Sequence, residues 1–253
     1  MKFFFILFIV FMTATGVASA QDTAADSLLA KADSLYDHFY EAKALELYTS
    51  ILNRHPDHYT ALWRASFLYS RIGFRLDSKE RQQAYYEKGI ALAGRALNVD
   101  STDTHSHFVM AAALGRKAMI SGARERVKAA HSIKHHAERA IRLDSTNAGG
   151  WHVLGRLHFR LANLSFVEQL AANTLYGGLP ESDEATAVRS VEKAIELEPE
   201  RLLYYYDLAR MYKHLGKEQQ AISACEDALR RDPLSPADPG WLDKCQKMIK
   251  DFQ

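Results

Sequence analysis

The sequence predicts an all-α protein built as a superhelix of repeated helical hairpins. Three observations lead to this fold class. Similar strings recur with alanine at a fixed place, apolar residues follow helical spacing between them, and a last apolar stripe has the pattern of a capping helix. Because a hairpin repeat buries its apolar faces only against its neighbours, such an array has one continuous core and needs a cap.

The repeated strings carry an alanine, an aliphatic residue next to it, and a serine or proline five residues after the alanine. The clearest are AGRALNVDS, AERAIRLDS, VEKAIELEP and CEDALRRDP, ending at Ser101, Ser145, Pro199 and Pro233, and a weaker copy, YTSILNRHP, ends at Pro56. They resemble the second helix of a tetratricopeptide repeat. The small residue lets two helices approach closely, and the serine or proline ends the helix.

This spacing divides residues 21–253, a single domain, into about five units. We expect the units near 25–58, 59–103, 105–146, 148–201 and 202–235, and a capping helix over 241–252. Successive terminators lie 45, 44, 54 and 34 residues apart, and 34 is the full tetratricopeptide period. We therefore expect insertions between the two helices of each middle unit. In the largest, 162–186, the first helix is expected to continue past its normal end and to stop at Gly177 and Gly178.

The N-terminus has the layout of a secretory signal peptide over residues 1–20. Lys2 precedes the apolar run Phe3–Met12, and small residues lead to Ala18-Ser19-Ala20, which predicts cleavage after Ala20. An uncleaved membrane anchor is the alternative, but a span takes about 20 apolar residues. No other segment is apolar enough to cross a bilayer, so the expected protein is exported, periplasmic or extracellular, without a membrane span after cleavage.

The composition argues against several function classes. The chain has 32 basic and 31 acidic residues, and because Lys2 is the only charged residue before Gln21, the remainder has no net charge. A nucleic-acid binder would carry a basic excess. The sequence has no glycine-rich phosphate loop, G-x-S-x-G elbow or C-x-x-C pair, so we expect neither catalysis nor a cofactor.

Two pairs of residues leave alternatives open. Cys225 and Cys245 could form a disulfide in an oxidising compartment, or remain separate thiols with one buried and one exposed. His131 and His135 lie four residues apart beside His136, a spacing that zinc sites use on a helix. No third ligand is evident nearby, so the other interpretation is a solvated surface stripe.

Two longer stretches are similar to the regulator of microtubule dynamics proteins. They run from Leu114 to Asp144 and from Trp151 to Pro180, and the Leu62–Ala65 string LWRA fits as well. The likeness covers roughly 59–233. It implies a tetratricopeptide-like helical array with the same long insertion, from a family in which some animal members are linked to microtubules and some to contacts between organelles. No catalytic residue is carried over by it.

In a tetratricopeptide array the first helices line a concave groove. Its register predicts a set of groove residues: Trp63, Phe67, Arg71, Arg116, Lys117, His152, Arg156, Phe159, Arg160, Tyr206, Arg210 and Lys213. Seven are lysine or arginine and none is a carboxylate, and arginine grips carboxylates with two hydrogen bonds. We predict a non-catalytic scaffold of the cell envelope whose groove binds a protein or peptide, through an acidic or C-terminal segment. The alternatives are a permanent structural subunit of an envelope assembly and a metal-binding helical accessory protein.

Overall fold

The computed structural model describes residues 14–175 and 177–252. This part of the chain is all-α, which confirms the predicted fold class. Its helices are α1 Ala14–Asp37, α2 Glu41–Arg54, α3 Tyr59–Phe74, α4 Lys79–Val99, α5 Thr104–Ile120, α6 Ala123–Leu143, α7 Ala148–Ala162, α8 Phe166–Leu175, α9 Glu184–Leu197, α10 Leu202–His214, α11 Glu218–Leu229 and α12 Asp238–Lys250.

The helices pack as hairpins in sequence order. The pairs are α1 with α2, α3 with α4, α5 with α6, α7 with α9 and α10 with α11, and α12 packs against α10 and α11. The repeated alanines of four second helices, Ala96, Ala140, Ala194 and Ala228, are each at most 1% exposed. A methyl side chain at these positions lets the helices approach, as the repeat pattern indicated.

Capping residues mark the ends of the helices that carry the groove residues. The Asp103 carboxylate accepts a hydrogen bond from the His105 N–H at 2.7 Å, and the Asn147 side chain accepts one from the Gly150 N–H at 2.8 Å. These are N-caps of α5 and α7. Gly216, with φ of 68°, ends α10 in the left-handed conformation that glycine adopts without steric cost.

The expected insertions between helices are wrong for the second and third units. Short loops join α3 to α4 and α5 to α6, and the additional residues instead lengthen α4 and α6 to 21 residues each. In α4 the buried residues Tyr86, Gly89, Ala93 and Ala96 recur three or four positions apart. This spacing keeps one face of the longer helix packed along its whole length, so no loop is needed.

The expected continuation of the first helix in the fourth unit is also wrong. Helix α7 ends at Ala162 and a separate helix, α8, begins at Phe166. Ser165 and Glu168 form a capping box: the Glu168 carboxylate accepts from the Ser165 N–H at 2.9 Å, and the Ser165 hydroxyl accepts from the Glu168 N–H at 3.3 Å. The expected stop is found after Leu175, where Gly177 and Gly178 have φ of 83° and 88°.

The two cysteines are separate free thiols rather than a disulfide, and both are fully buried in the C-terminal core, so the part of that alternative that placed one thiol at the surface is wrong. The Cys225 Sγ lies 3.8 Å from the Met248 Sδ. A hydrogen bond with the Cys225 thiol, together with burial, raises the pKa of Cys245 far above its usual range, so this thiol is protonated. Both cysteines therefore pack as small apolar residues between α11 and α12.

Most of the predicted signal peptide, residues 1–13, lies outside the described residues. Helix α1 begins at Ala14 and includes the predicted cleavage site at Ala18–Ala20. Among the described residues, no helix has the length and apolar character that crossing a membrane requires.

Candidate functional site

The array surrounds a cavity of about 1140 Å³. Its wall comes from the first helices of the second to fifth units, with contributions from α6, α8 and α12. Eight arginines line it within the described part of the chain: Arg71, Arg75, Arg116, Arg126, Arg156, Arg160, Arg201 and Arg210. Five carboxylates line it as well: Asp144, Glu168, Glu198, Asp207 and Asp238. Apolar and aromatic side chains fill most of the rest of the wall.

Nine of the twelve predicted groove residues line this cavity. They are Trp63, Phe67, Arg71, Arg116, His152, Arg156, Phe159, Arg160 and Arg210. Their aromatic members make contacts of their own: the Trp63 ring stacks on the His105 ring with centroids 4.2 Å apart, and Phe67 packs against Phe108 at 5.0 Å. The structure thus brings together side chains from four units, while their role in binding stays a prediction.

The other three predicted residues do not line the cavity. Lys117 forms an ion pair with Glu87 at 3.1 Å, and Lys213 forms one with Asp251 at 3.4 Å. Tyr206 instead stacks on Trp241 of the capping helix at 5.2 Å. Successive residues of an α-helix are rotated by 100° about its axis, so the residue next to a groove position lies on a different face of the helix. The register placed Arg116 and Lys117 together, and only Arg116 faces the cavity.

Asp207 is the centre of the charge network in the cavity. It is 4% exposed and its carboxylate accepts a hydrogen bond from His152 Nε2 at 2.8 Å. Arg156 and Arg210 lie 3.6 and 3.5 Å from the same carboxylate. One imidazole and two guanidinium groups from two helices, α7 and α10, therefore converge on one buried negative charge.

Burial alone would raise the pKa of Asp207, but the Arg156 charge and the His152 hydrogen bond hold that pKa far below its usual range. Asp207 is therefore ionised. Burial lowers the pKa of His152 despite the attraction of Asp207, so at neutral pH the histidine is neutral and donates its Nε2 proton. The network combines one carboxylate with two guanidinium groups, which leaves a net positive charge.

Arg116 is a strongly desolvated arginine of the cavity. Burial, followed by repulsion from Arg156, lowers its pKa to about 10. It is still charged at neutral pH. Its guanidinium lies over the Phe74 ring at 4.1 Å, and its Nη1 is buried without a hydrogen-bond partner among the described residues. A buried donor without a partner costs free energy until an acceptor reaches it.

A second buried carboxylate, Glu41, pairs with two arginines at the C-terminal end of α3. It is 3% exposed, lies 2.6 Å from Arg71 and also pairs with Arg75. Burial lowers the pKa of Arg71, and the attraction of Glu41 opposes this shift. Arg71 and Arg75 are thereby fixed at the end of α3 and do not compete for Asp207.

The sequence reasoning missed Asp207, Arg201, Arg75 and Arg126. Asp207 was overlooked because the groove register skips its position. One signal could have found it: Asp207 is the only charged residue in Leu202–Ala209, a run that is otherwise apolar or aromatic. A lone carboxylate on a buried helix face needs a cationic or hydrogen-bonding partner elsewhere in the fold.

The histidine stripe is not arranged as its spacing suggested. His131 Nε2 lies 3.3 Å from the Gly178 carbonyl oxygen, while His136 Nδ1 lies 2.9 Å from His107 Nδ1 on the neighbouring helix. His107 Nε2 contacts the Ser101 carbonyl at 3.1 Å, so it carries the proton there. His107 Nδ1 is then the acceptor and His136 the donor. In the described part of the chain, no three potential ligands are arranged to hold a metal.

This histidine pair predicts acid sensitivity. Burial, followed by repulsion from His107, lowers the pKa of His136 from 6.5 to about 4, so the unfolded chain binds more protons below pH 6.5 than the folded chain. The free energy of unfolding should therefore fall as the pH decreases from about 6.5 toward 4, by at most about 1.4 kcal/mol per pH unit for this proton. Urea unfolding at several pH values measures it.

Two variants separate this pair from the other histidines. His136→Gln keeps a donor for His107 without titrating, and it should reduce the dependence on pH, while His107, His152 and His158, whose pKa values burial also lowers, retain their share of it. His131→Gln changes an exposed histidine of the same helix and should behave as the natural chain. An unchanged slope in His136→Gln would assign the acid sensitivity to other groups.

A family-wide sequence model, Regulator of microtubule dynamics protein 1-3, matches residues 28–253. The chain belongs to this family. The resemblance found in the sequence is thereby confirmed. Regulator of microtubule dynamics protein 2 of Mus musculus is 26% identical over 230 residues, covering 90% of this chain and 56% of that protein. The human protein 2 is 27% identical over 228 residues, covering 88% of this chain and 55% of that protein. The chain thus spans about half the length of these curated relatives.

Among solved structures, the chain is similar to TTC0263, a thermophilic TPR protein of Thermus thermophilus. The TM-score is 0.66, with 16% identity, and the match covers 89% of this chain and 99% of that one. At this identity the likeness shows the fold alone. The chain is therefore a tetratricopeptide-like repeat protein of the regulator of microtubule dynamics family.

Proposed function

We propose that this family member is a non-catalytic scaffold that binds a protein segment in its arginine-lined cavity, and that the segment is acidic or carries a free C-terminal carboxylate. The observation that carries the proposal is the excess of arginine in the wall. Such a cavity offers apolar and aromatic contacts for side chains and guanidinium groups for carboxylates. A partner segment with the opposite charge would be attracted over a distance and oriented in the cavity.

Three of the eight arginines in the wall form no ion pair with a described residue. The other five are paired with carboxylates. Arg71 and Arg75 share Glu41, Arg156 and Arg210 share Asp207, and Arg201 pairs with Glu198. Within the described residues, no ion pair involves the remaining three, Arg116, Arg126 and Arg160. These guanidinium groups are available to a ligand without breaking an existing ion pair.

A charge-reversal experiment tests the proposal. In Arg126→Glu combined with Arg160→Glu, the wall loses two unpaired positive charges without disturbing Asp207. We expect recovery of the natural partner from the native compartment to fall about tenfold or more, since a hydrogen bond to a charged group contributes about 1.5–3 kcal/mol. The matched control is Arg124→Glu with Arg142→Glu, two exposed residues of α6 outside the cavity lining. Equal recovery with both double variants would contradict the proposal.

The second candidate function is a permanent structural subunit of a larger assembly. The exposed apolar side chains of α8 favour it: Phe166, Val167 and Leu170 are 78%, 74% and 51% exposed. Apolar neighbours on one exposed helix mark a contact surface. Co-purification in a fixed ratio that survives the reversal of Arg126 and Arg160 would favour this function over a scaffold with an exchangeable partner.

We also propose that the protein is exported to the periplasm or the cell exterior, where it serves the cell envelope. The support is the Lys2, Phe3–Met12 and Ala18–Ala20 pattern of a signal peptide. Cleavage after Ala20 would remove the first part of α1 and leave its remainder, Gln21–Asp37, in the first hairpin. A purified protein whose N-terminus is Met1 rather than Gln21 would contradict export by this route.

A further inference from the structure

The two ends of the helical array touch each other. Phe74, the last residue of α3, stacks on Trp241 of the capping helix, with ring centroids 5.7 Å apart and planes at 18°. The Phe39 ring contacts two guanidinium groups, Arg71 at 5.2 Å and Arg201, the residue directly before α10, at 5.4 Å. An array that stayed open would leave its groove accessible along its length. Here the first two units meet the last unit and the cap, so the helices form a ring around the cavity.

A ring limits what can reach the cavity. An internal segment of a folded partner would have to pass through as a doubled chain, or the contacts of Phe74 and Phe39 would have to break. A free chain end can be inserted directly along the ring axis. Helix α8 borders the opening, because Val167 both lines the cavity and is 74% exposed.

The charge inside the ring selects which chain end is accepted. Arg116 is a cavity residue whose buried Nη1 has no hydrogen-bond partner in the described part of the chain, and the Phe74 ring covers one face of its guanidinium. Asp207 already serves His152, Arg156 and Arg210. An incoming α-amino group would meet an excess of positive charge, whereas a carboxylate would supply the missing acceptor.

We propose that the ring binds the free C-terminus of its partner end-on, with the terminal carboxylate on Arg116, and excludes internal acidic segments. This inference rests on the proposed function, because it specifies which kind of peptide segment the cavity takes. The residues of the partner just before its terminus then pass the exposed apolar side chains of α8.

The test presents a pool of random decapeptides to the purified chain in three formats. In the first, the peptides are anchored by their N-terminus and have a free C-terminal carboxylate. In the second, the same peptides end in an amide, and in the third they are anchored at both ends. We expect the first format to retain about tenfold more protein than either of the others, because only it offers both a free end and a terminal charge.

Substitution of neighbouring residues tests the assignment of Arg116. Arg116→Gln should reduce retention by the first format to the level of the amide format. Lys117→Gln is the matched control, because this adjacent lysine faces Glu87 outside the cavity lining and its loss should change nothing. Arg116→Lys keeps the charge and should retain part of the binding.

The outcomes separate this inference from the proposed function. Retention by none of the three formats would contradict peptide binding itself. Equal retention by all three would leave peptide binding supported and overturn end-on insertion. Preference for the free carboxylate that persists in Arg116→Gln would overturn the assignment to Arg116.

Discussion

Asp207→Ala is expected to lower the free energy of unfolding by about 3–5 kcal/mol, the usual cost of removing one partner from a buried ion pair. The carboxylate is 4% exposed and receives His152, Arg156 and Arg210. Without this carboxylate, no negative charge separates the two guanidinium groups from each other, from the imidazole and from the Arg116 guanidinium. Urea or guanidinium unfolding measures the loss.

Two variants control for this effect. Asp251→Ala removes a carboxylate from the ion pair with Lys213, in which both side chains are about half exposed, and its effect should stay within about 0.5 kcal/mol. Asp207→Asn keeps an acceptor for His152 but removes the charge. Its loss in the free energy of unfolding should lie between those of Asp207→Ala and Asp251→Ala. If Asp207→Ala were as stable as Asp251→Ala, the network would not hold α7 against α10.

Gly155→Ala is expected to destabilise the chain by about 2 kcal/mol, although alanine favours helices over glycine by about 1 kcal/mol. A Cβ on Gly155 would lie 2.7 Å from Val191 Cγ2 and 2.8 Å from the Ala187 carbonyl oxygen, both in α9. A backbone oxygen cannot rotate away as a side chain can, so α7 and α9 would have to separate.

Gly115→Ala is the matched control in a neighbouring first helix. A Cβ there would meet nothing within 4 Å, so only the preference for helix acts and the variant should be more stable by up to about 1 kcal/mol. Thermal or urea unfolding of both variants should therefore give shifts of opposite sign. Shifts of the same sign would show that helix propensity, rather than the approach of α7 to α9, decides the result at Gly155.

Much of the candidate site could be predicted because it follows from helix geometry. The groove register selected Arg156 and Arg160 on α7, and both line the cavity, since side chains that share one helix face recur every three or four positions. It also selected Lys117 and Tyr206, which do not line the cavity, because an error of one residue rotates a side chain by 100°. The Ser165–Glu168 capping box was present in the sequence, and recognising it would have separated α8 from α7.

Other features depend on residues far apart in the chain. The sequence shows that Asp207 is charged and lies in an apolar run, but it does not show that His152, 55 residues earlier, is its hydrogen-bond partner. The pair of His107 and His136 was hidden for the same reason, and the sequence pattern favoured His131 and His135 instead. A local sequence pattern predicts the helix face on which a side chain lies, but it does not predict which other helix that face packs against.

The all-α repeat, the family and an excess of arginine on the inner helices can all be read from the sequence. This is possible because alanine spacing, capping residues and helical periodicity act over a few turns. The tertiary structure alone decided that Phe74 reaches Trp241 and that the groove becomes a ring. That contact depends on the summed rotations between five successive hairpins, so small differences in packing at each interface decide whether the two ends of the array meet.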